Sequence, residues 1–257
     1  MFKSLQHQDT IFNNMSLNEV VDASLGKKLL SSALVKSTEE RDQRAILQAY
    51  LAKVIKGIRS VKYVRKGKYG RVSPFKGLGY HLLSRKLRHT LMKDKYTDID
   101  IVNCHPVLLR GICKQLNILC PNLSKYVDNR DSILQELMDS FDTSRSVAKE
   151  LFTSLINCGK VTSWKRKFNL KGSTPQFVED LQEEIPGIVE ELQKTNKDLL
   201  KYVKNYKCKK GKFEVNSSFI STYLQEVENR ILEVMYLYLK DNHFIVNDTV
   251  TLSNDGI

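Results

Sequence analysis

The run NSSFISTYLQEVENRILEVMYLYLKDN, Asn216 to Asn242, limits the fold of this chain more than any other stretch. It contains no glycine or proline and its apolar residues recur at helical spacing, so it predicts the longest helix of the chain. Other helical patterns surround it. STEERDQRAILQAYLAKVIKGI opens at Ser37 on a Ser-x-x-Glu capping box. YHLLSRKLRHTLM reads as a helix, and so does HPVLLRGICKQLNI, whose Pro106 falls in the first turn where proline is tolerated. Short helices are expected around 130–139 and 143–158. A mixed-charge helical stretch covers 160–204, with interruptions at KGSTPQ and IPG. Strand patterns are few: KYTDIDIV, HFIVNDTVTL, and RSVKYVRKGKYGRVSPFKGLG as a basic β-ribbon or loop. Residues 1–36 are weakly patterned. Many helices with a few separated strands predict an α+β fold.

Charge adds a functional constraint. The chain carries 41 Lys+Arg against 29 Asp+Glu, a formal net charge of +12. Such an excess favours a polyanionic partner, either nucleic acid or an acidic membrane surface. Tyr63, Tyr69 and Phe75 interleave with the cations of the basic ribbon, where they could stack on bases or pack the ribbon. The five cysteines are odd in number and show no C-x-x-C spacing, which argues against a zinc site or a disulfide framework. No signal-peptide pattern and no apolar run of ~18 residues is present, so a soluble, intracellular protein is expected.

Two acids mark the strand pattern YTDIDIVNCHP. Alternation would place Asp98 and Asp100 on one face, with Ile99 and Ile101 packed below. Like charges at that spacing need a basic group or a cation to answer them. Mg²⁺ fits such a pair, completing its shell with substrate phosphate. The alternative is a polar strand face paired with Lys or Arg. In DTSRSVAKELFTSLINCG, Asp142, Thr143 and Ser144 supply N-cap chemistry, which puts Arg145 and Lys149 on one face of the first two turns. Cations there oppose the helix dipole by ~0.3–1 kcal/mol each, yet they suit a polyphosphate. A third acid, Asp255, lies in the terminal SNDGI. Asp-Gly after a β run is a hairpin signal, and the chain reads as stopping before the second strand.

In this order the pieces resemble family A DNA polymerases and the related phage-type single-subunit RNA polymerases, most of all their transposon- and virus-borne branch. DIVNCHPVLL is similar to motif A, RSVAKELFTSLIN to motif B and LSNDGI to motif C, with KYGRV and RKLRH similar to upstream basic elements. The resemblance spans roughly residues 65–257. It implies a palm with a small antiparallel sheet, helical fingers and a partial thumb. The boundaries it implies are 1–60 (thumb-like), 61–129 (palm, first part), 130–212 (fingers) and 213–257 (palm, second part).

The implied activity is template-directed transfer of nucleotides to a primer 3′-hydroxyl, with DNA favoured over RNA as product. Asp100 and Asp255 would be the catalytic carboxylates holding two Mg²⁺ ions (Mn²⁺ as a substitute), with Ile101 also at the metal site. Arg145 and Lys149 would bind the nucleoside triphosphate, together with Asn157, His105 and Asn103. Asn157 stands where the family has a tyrosine, and His105 where its DNA polymerases have a glutamate. Arg71, Arg88, Lys68 and Arg85 would contact primer–template DNA, and a second chain could complete the palm. The alternatives are a non-catalytic or split polymerase-derived nucleic-acid-binding protein, and a phage-type RNA polymerase relative.

Overall fold

Arg59, Val61 and Tyr63 are buried while Ile58, Ser60 and Lys62 are exposed. This period of two makes Ile58–Arg65 a strand with one face covered. It is the middle strand of an antiparallel sheet, β1 (Ser16–Val20), β2 (Ile58–Arg65) and β3 (Val72–Pro74), in that order. Glu19 pairs with Arg59 and Leu17 with Val61, on the buried side. The structure is a computed structural model and describes residues 9–33, 35, 42–77, 79–209, 214–253 and 256–257. It divides into two compact units, one built from Val102–Val227 and the other from Gln8–Ile101 with Glu228–Ile257. With this small sheet among many helices, the α+β expectation holds.

In the sheet-containing unit, Phe12, Leu17, Val61, Tyr63, Leu232 and Tyr236 are among the side chains that pack into one core cluster. A second cluster gathers Leu47 and Tyr50 of α2 (Gln43–Leu51) with Leu87 and Leu91 of α3 (Arg85–Met92). Gly26, in α1 (Ala23–Leu30), lets that helix approach α2. A Cβ there would meet Leu51 Cδ2 at 2.8 Å.

Between the clusters lies a buried polar group. Glu19 is fully covered and accepts hydrogen bonds from the Tyr50 hydroxyl (2.7 Å) and the Tyr80 N–H (3.2 Å). Arg59 lies opposite it in the ladder, donates to the Tyr50 carbonyl at 2.6 Å, and has its guanidinium 4.5 Å from the Tyr50 ring centroid. Burial raises the Glu19 carboxyl above its ordinary 4.5, against the opposing pull of its hydrogen bonds and of Arg59. A raised folded-state pKa means that the native chain holds the extra proton. The contribution is therefore complete below the unfolded pKa and is lost as pH rises through the raised value. Glu19→Gln removes this titration. The urea midpoint of the wild type is expected to fall relative to that of the variant as pH rises from about 4.5. A midpoint difference that does not change with pH would contradict this assignment.

The second unit is helical: α4 (Cys104–Leu116), α5 (Pro121–Asp128), α6 (Arg130–Phe141), α7 (Arg145–Ile156), α8 (Val161–Phe168), α9 (Gln176–Thr195) and α10 (Lys197–Lys209). Tyr126 stacks on Phe152 at 4.1 Å between ring centroids, and Trp164 meets Phe141 edge-on at 5.3 Å. Cys120 offers α5 no side-chain cap. Glu184 of α9 supplies one instead, accepting from the N–H groups of Asn122 (2.8 Å) and Leu123 (2.9 Å). The long helix α11 (Val215–Asp241) takes residues up to Val227 from this unit and from Glu228 onward from the other.

Several local expectations need correction. KYTDIDIV is not a strand. Asp100 forms a single antiparallel bridge with Gly256, and Ile99 and Ile257 exchange N–H···O bonds of 3.1 and 2.9 Å. One short pairing imposes no pleat, so Ile99 is 38% exposed rather than packed beneath the acids. HFIVNDTVTL is not a strand either, because His243, Asn247 and Asp248 all take left-handed backbone angles. Helix α9 runs through Pro186 and Gly187, so IPG does not interrupt it. The Ser37 capping box lies outside the described residues. Asp42 caps α2, accepting from Arg44 N–H (3.0 Å) and Ala45 N–H (3.1 Å). Strand β1 arises within the stretch that looked weakly patterned.

Candidate nucleic-acid interface

From Gln43 to Lys93 the sequence holds fourteen lysines and arginines and no aspartate or glutamate. This one stretch exceeds the +12 net charge of the whole chain, so the remainder is slightly acidic. All of it belongs to the sheet-containing unit. A nucleic-acid surface needs such a concentration of positive charge, because phosphate contacts supply most sequence-independent affinity.

A concavity lined entirely by this stretch lies on the outer face of the sheet. It measures about 520 Å³ and is lined by Lys53, Ile55, Ile58, Lys62, Phe75 and Lys76, among others. One wall holds Ile55 and Ile58, which flank a two-residue turn where Lys56 (φ 50°) and Gly57 (φ 79°) reverse the chain. Positive φ at both central positions is the type I′ pattern that matches sheet twist. The other wall is Phe75-Lys76, directly after β3. Among the described residues no acidic side chain lines the groove. Of these residues only Phe75 stands out in the sequence as a nucleic-acid contact; the lysines do not. The acid-free span from 43 to 93 was the signal that could have found them.

The cations expected to hold nucleic acid or triphosphate are in large part engaged within the fold. Arg71 makes a two-pronged ion pair with Glu228, Nε and Nη2 each donating at 3.0 Å. Arg88 donates from Nη1 to the carbonyls of His81 (3.4 Å) and Leu83 (3.3 Å), and stands 5.5 Å from the Tyr80 ring centroid. Arg85 donates to His89 Nε2 at 3.3 Å, and exposed Lys68 reaches over the Tyr69 ring at 5.4 Å.

Asp98 lines a cavity of about 470 Å³ shared with Tyr80, Arg88, Asp94, Tyr96 and Ser253. Asp100 lies beside it, at the bridge to Gly256. That glycine is required by close approach: a Cβ would meet the Ile99 carbonyl oxygen at 2.7 Å and Asp100 Oδ1 at 3.2 Å. Ile101 follows, half-buried. Asp255 lies outside the described residues. Among the described residues no group of three or more His, Cys, Asp or Glu side chains could share a metal ion.

In the helical unit, Ser144 caps α7 as expected, accepting from Val147 N–H, so Arg145 and Lys149 do occupy its first turns. Arg145 is paired with Asp131 of α6. The hydrogen bond and charge of Arg145, then the charges of Arg130 and Lys149, hold the Asp131 carboxyl below its usual range. Three cations therefore share one acid, and Lys149 is exposed. Asn103 takes a left-handed conformation (φ 53°) at the start of α4 and lines a cavity of about 430 Å³ with Arg130 and Asp131. His105 is half-buried in the first turn of α4. Asn157 closes α7, donating to the Thr153 carbonyl at 2.8 Å.

No helix among the described residues is long and apolar enough to cross a membrane. No protein-family model and no solved structure matches the chain. A protein of the Sputnik virophage named "Putative helicase V13" is 30% identical over 261 residues, which cover 93% of this chain and 32% of that protein. The chain thus spans about a third of the length of this relative. The match supports the viral side of the resemblance and overturns the polymerase reading, since the relative is named for a different activity. The physical reason lies in the motifs themselves. Each is a few residues long, and the arginines of two of them, Arg71 and Arg145, are paired with carboxylates in the fold.

Proposed function

We propose that this chain is a nucleic-acid-binding segment of a viral enzyme of the helicase type. The observation that carries the reading is the acid-free basic stretch from Gln43 to Lys93, folded into one unit. The name of the virophage relative supports the same class of partner. Gly-x-x-x-x-Gly-Lys-Ser/Thr, the loop that cradles nucleotide phosphates in such motors, does not occur in these 257 residues. The role assigned to this segment is accordingly to hold the strand.

Anisotropy of a labelled oligothymidylate, titrated with the chain at several salt concentrations, tests the proposal. Four phosphate contacts on a single strand correspond to a log–log slope near −2.8, or roughly fifty-fold weaker binding at 200 mM than at 50 mM salt. Absence of binding, or binding indifferent to salt, would overturn it.

A further inference from the structure

We infer that the groove on the outer face of the sheet is a single-strand subsite, in which an unpaired base stacks on Phe75 while Lys53, Lys62 and Lys76 hold the flanking phosphates. The inference rests on the nucleic-acid reading above and names where and how the strand is held.

Phe75 is 53% exposed, and Ile55 (76%) and Ile58 (44%) lie with it in the same groove. Large apolar side chains gathered on one surface, rather than scattered singly, mark a binding site. Their setting selects the partner. The three lysines of the groove are exposed, and no acid interrupts them in space or for many residues on either side. An apolar floor rimmed by cations alone complements a ligand that is flat and apolar in one part and anionic in the next. A nucleotide in a strand has that character. Lys76 Nζ already stands 5.7 Å from the centroid of the Phe75 ring, so the ring and a cation are presented together. At about 520 Å³ the groove falls within the ~300–1,000 Å³ range of small-ligand sites.

The platform is also fixed in advance. β2 alternates, so each groove residue on it has buried neighbours that anchor it from behind. Arg59 is held by Tyr50, and Tyr63 accepts a hydrogen bond from the Leu252 N–H at 3.2 Å. The type I′ turn sets Ile55 and Ile58 at the end of the same strand. A groove with β2 already held in place loses little freedom when a strand lands on it, which favours binding. Bases in a duplex are already stacked on one another, so Phe75 selects unpaired ones. Stacking also tolerates any base, which suits binding without sequence preference.

The test compares labelled single-stranded oligothymidylate with a blunt duplex of equal length, using the whole chain. Phe75→Ala is expected to weaken single-strand binding roughly 5- to 150-fold, leaving the salt slope and duplex binding unchanged. Phe75→Trp should restore single-strand affinity. Lys53→Glu, Lys62→Glu and Lys76→Glu together should weaken binding more than tenfold and flatten the salt slope. These side chains are exposed, and circular dichroism checks that each variant is folded. If the wild type binds single strands and both Phe75→Ala and the triple variant match it, the subsite is wrong while the nucleic-acid reading stands. If the wild type binds no nucleic acid, both fall.

Discussion

Trp164→Ala is expected to destabilise the chain by about 4–6 kcal/mol, the largest effect anticipated for a single substitution. Trp164 lies in α8 with 3% of its surface exposed. Its ring meets Phe141 of α6 edge-on and Phe168 at 6.3 Å, and its indole N–H donates to the Val147 carbonyl of α7 at 3.0 Å. One side chain therefore ties three helices of the helical unit together. Truncating a buried Trp to Ala costs about 3–5 kcal/mol through lost transfer energy and the cavity left behind, and the lost hydrogen bond adds about 1 kcal/mol. Trp164→Phe keeps most of the volume and loses the donor, so a smaller cost of about 1–2 kcal/mol is expected. Trp164 is the single tryptophan of the chain, so unfolding of the variants must be followed by far-UV circular dichroism. A change below about 1 kcal/mol for Trp164→Ala would show that the three helices do not depend on it.

Arg71→Ala should follow at about 3 kcal/mol, by a different mechanism. The Glu228 side chain is fully buried and that of Arg71 is 33% exposed, with Nη2 2.9 Å from Glu228 Oε2. Removing one partner of a buried pair typically costs 3–5 kcal/mol, because the other charge keeps its desolvation penalty. The partial exposure of Arg71 places this pair at the low end. For a domain of this size that is a fall of about 6–12 °C in Tm, measured by thermal denaturation. Arg71→Lys retains the charge but not the fork, so it should lie between wild type and alanine. Arg71→Met combined with Glu228→Leu should be more stable than Arg71→Met alone, since the stranded charge is removed. Additive losses in that pair would sink the interpretation.

The Arg71 result would also show why some of the chemistry was not legible in the sequence. Its arginine sits in a dense basic ribbon and reads as a nucleic-acid contact, but its partner lies 157 residues away. Arg145 is likewise answered by Asp131 from the preceding helix. Long-range pairing decides which cations are free, and local pattern does not record it. What local chemistry controls was legible: Ser144 starts α7, Pro106 falls in the first turn of α4, and the stretch read as β-ribbon or loop supplies β2 and β3. The strand expectations over Lys95–Val102 and His243–Leu252 failed because β propensity needs a partner ladder. The described residues supply only isolated bridges there. β1 was missed because its buried positions include Glu19, which reads as surface until Tyr50 and Arg59 are brought to it. The lysine-rimmed groove was half legible. The absence of acids is plain in the sequence, but the placing of Phe75 beside Lys53 and Lys62 depends on the hairpin register.

The unit that carries the groove is assembled from two separated lengths of chain, Gln8–Ile101 and Glu228–Ile257. Tyr63 reaches Leu252, and the same core takes Leu232, Tyr236 and Ile257. During synthesis the ribosome delivers the sheet before the residues from Glu228 onward that cover it. The helical unit, built from Val102–Val227, can complete its core in the interval. Until Ile257 has emerged, one face of the sheet waits uncovered, with its aromatic and aliphatic side chains open to other chains. The sheet-containing unit should therefore complete its core only after the residues of the helical unit have been made, and it is exposed to aggregation if translation stalls between residues 101 and 228.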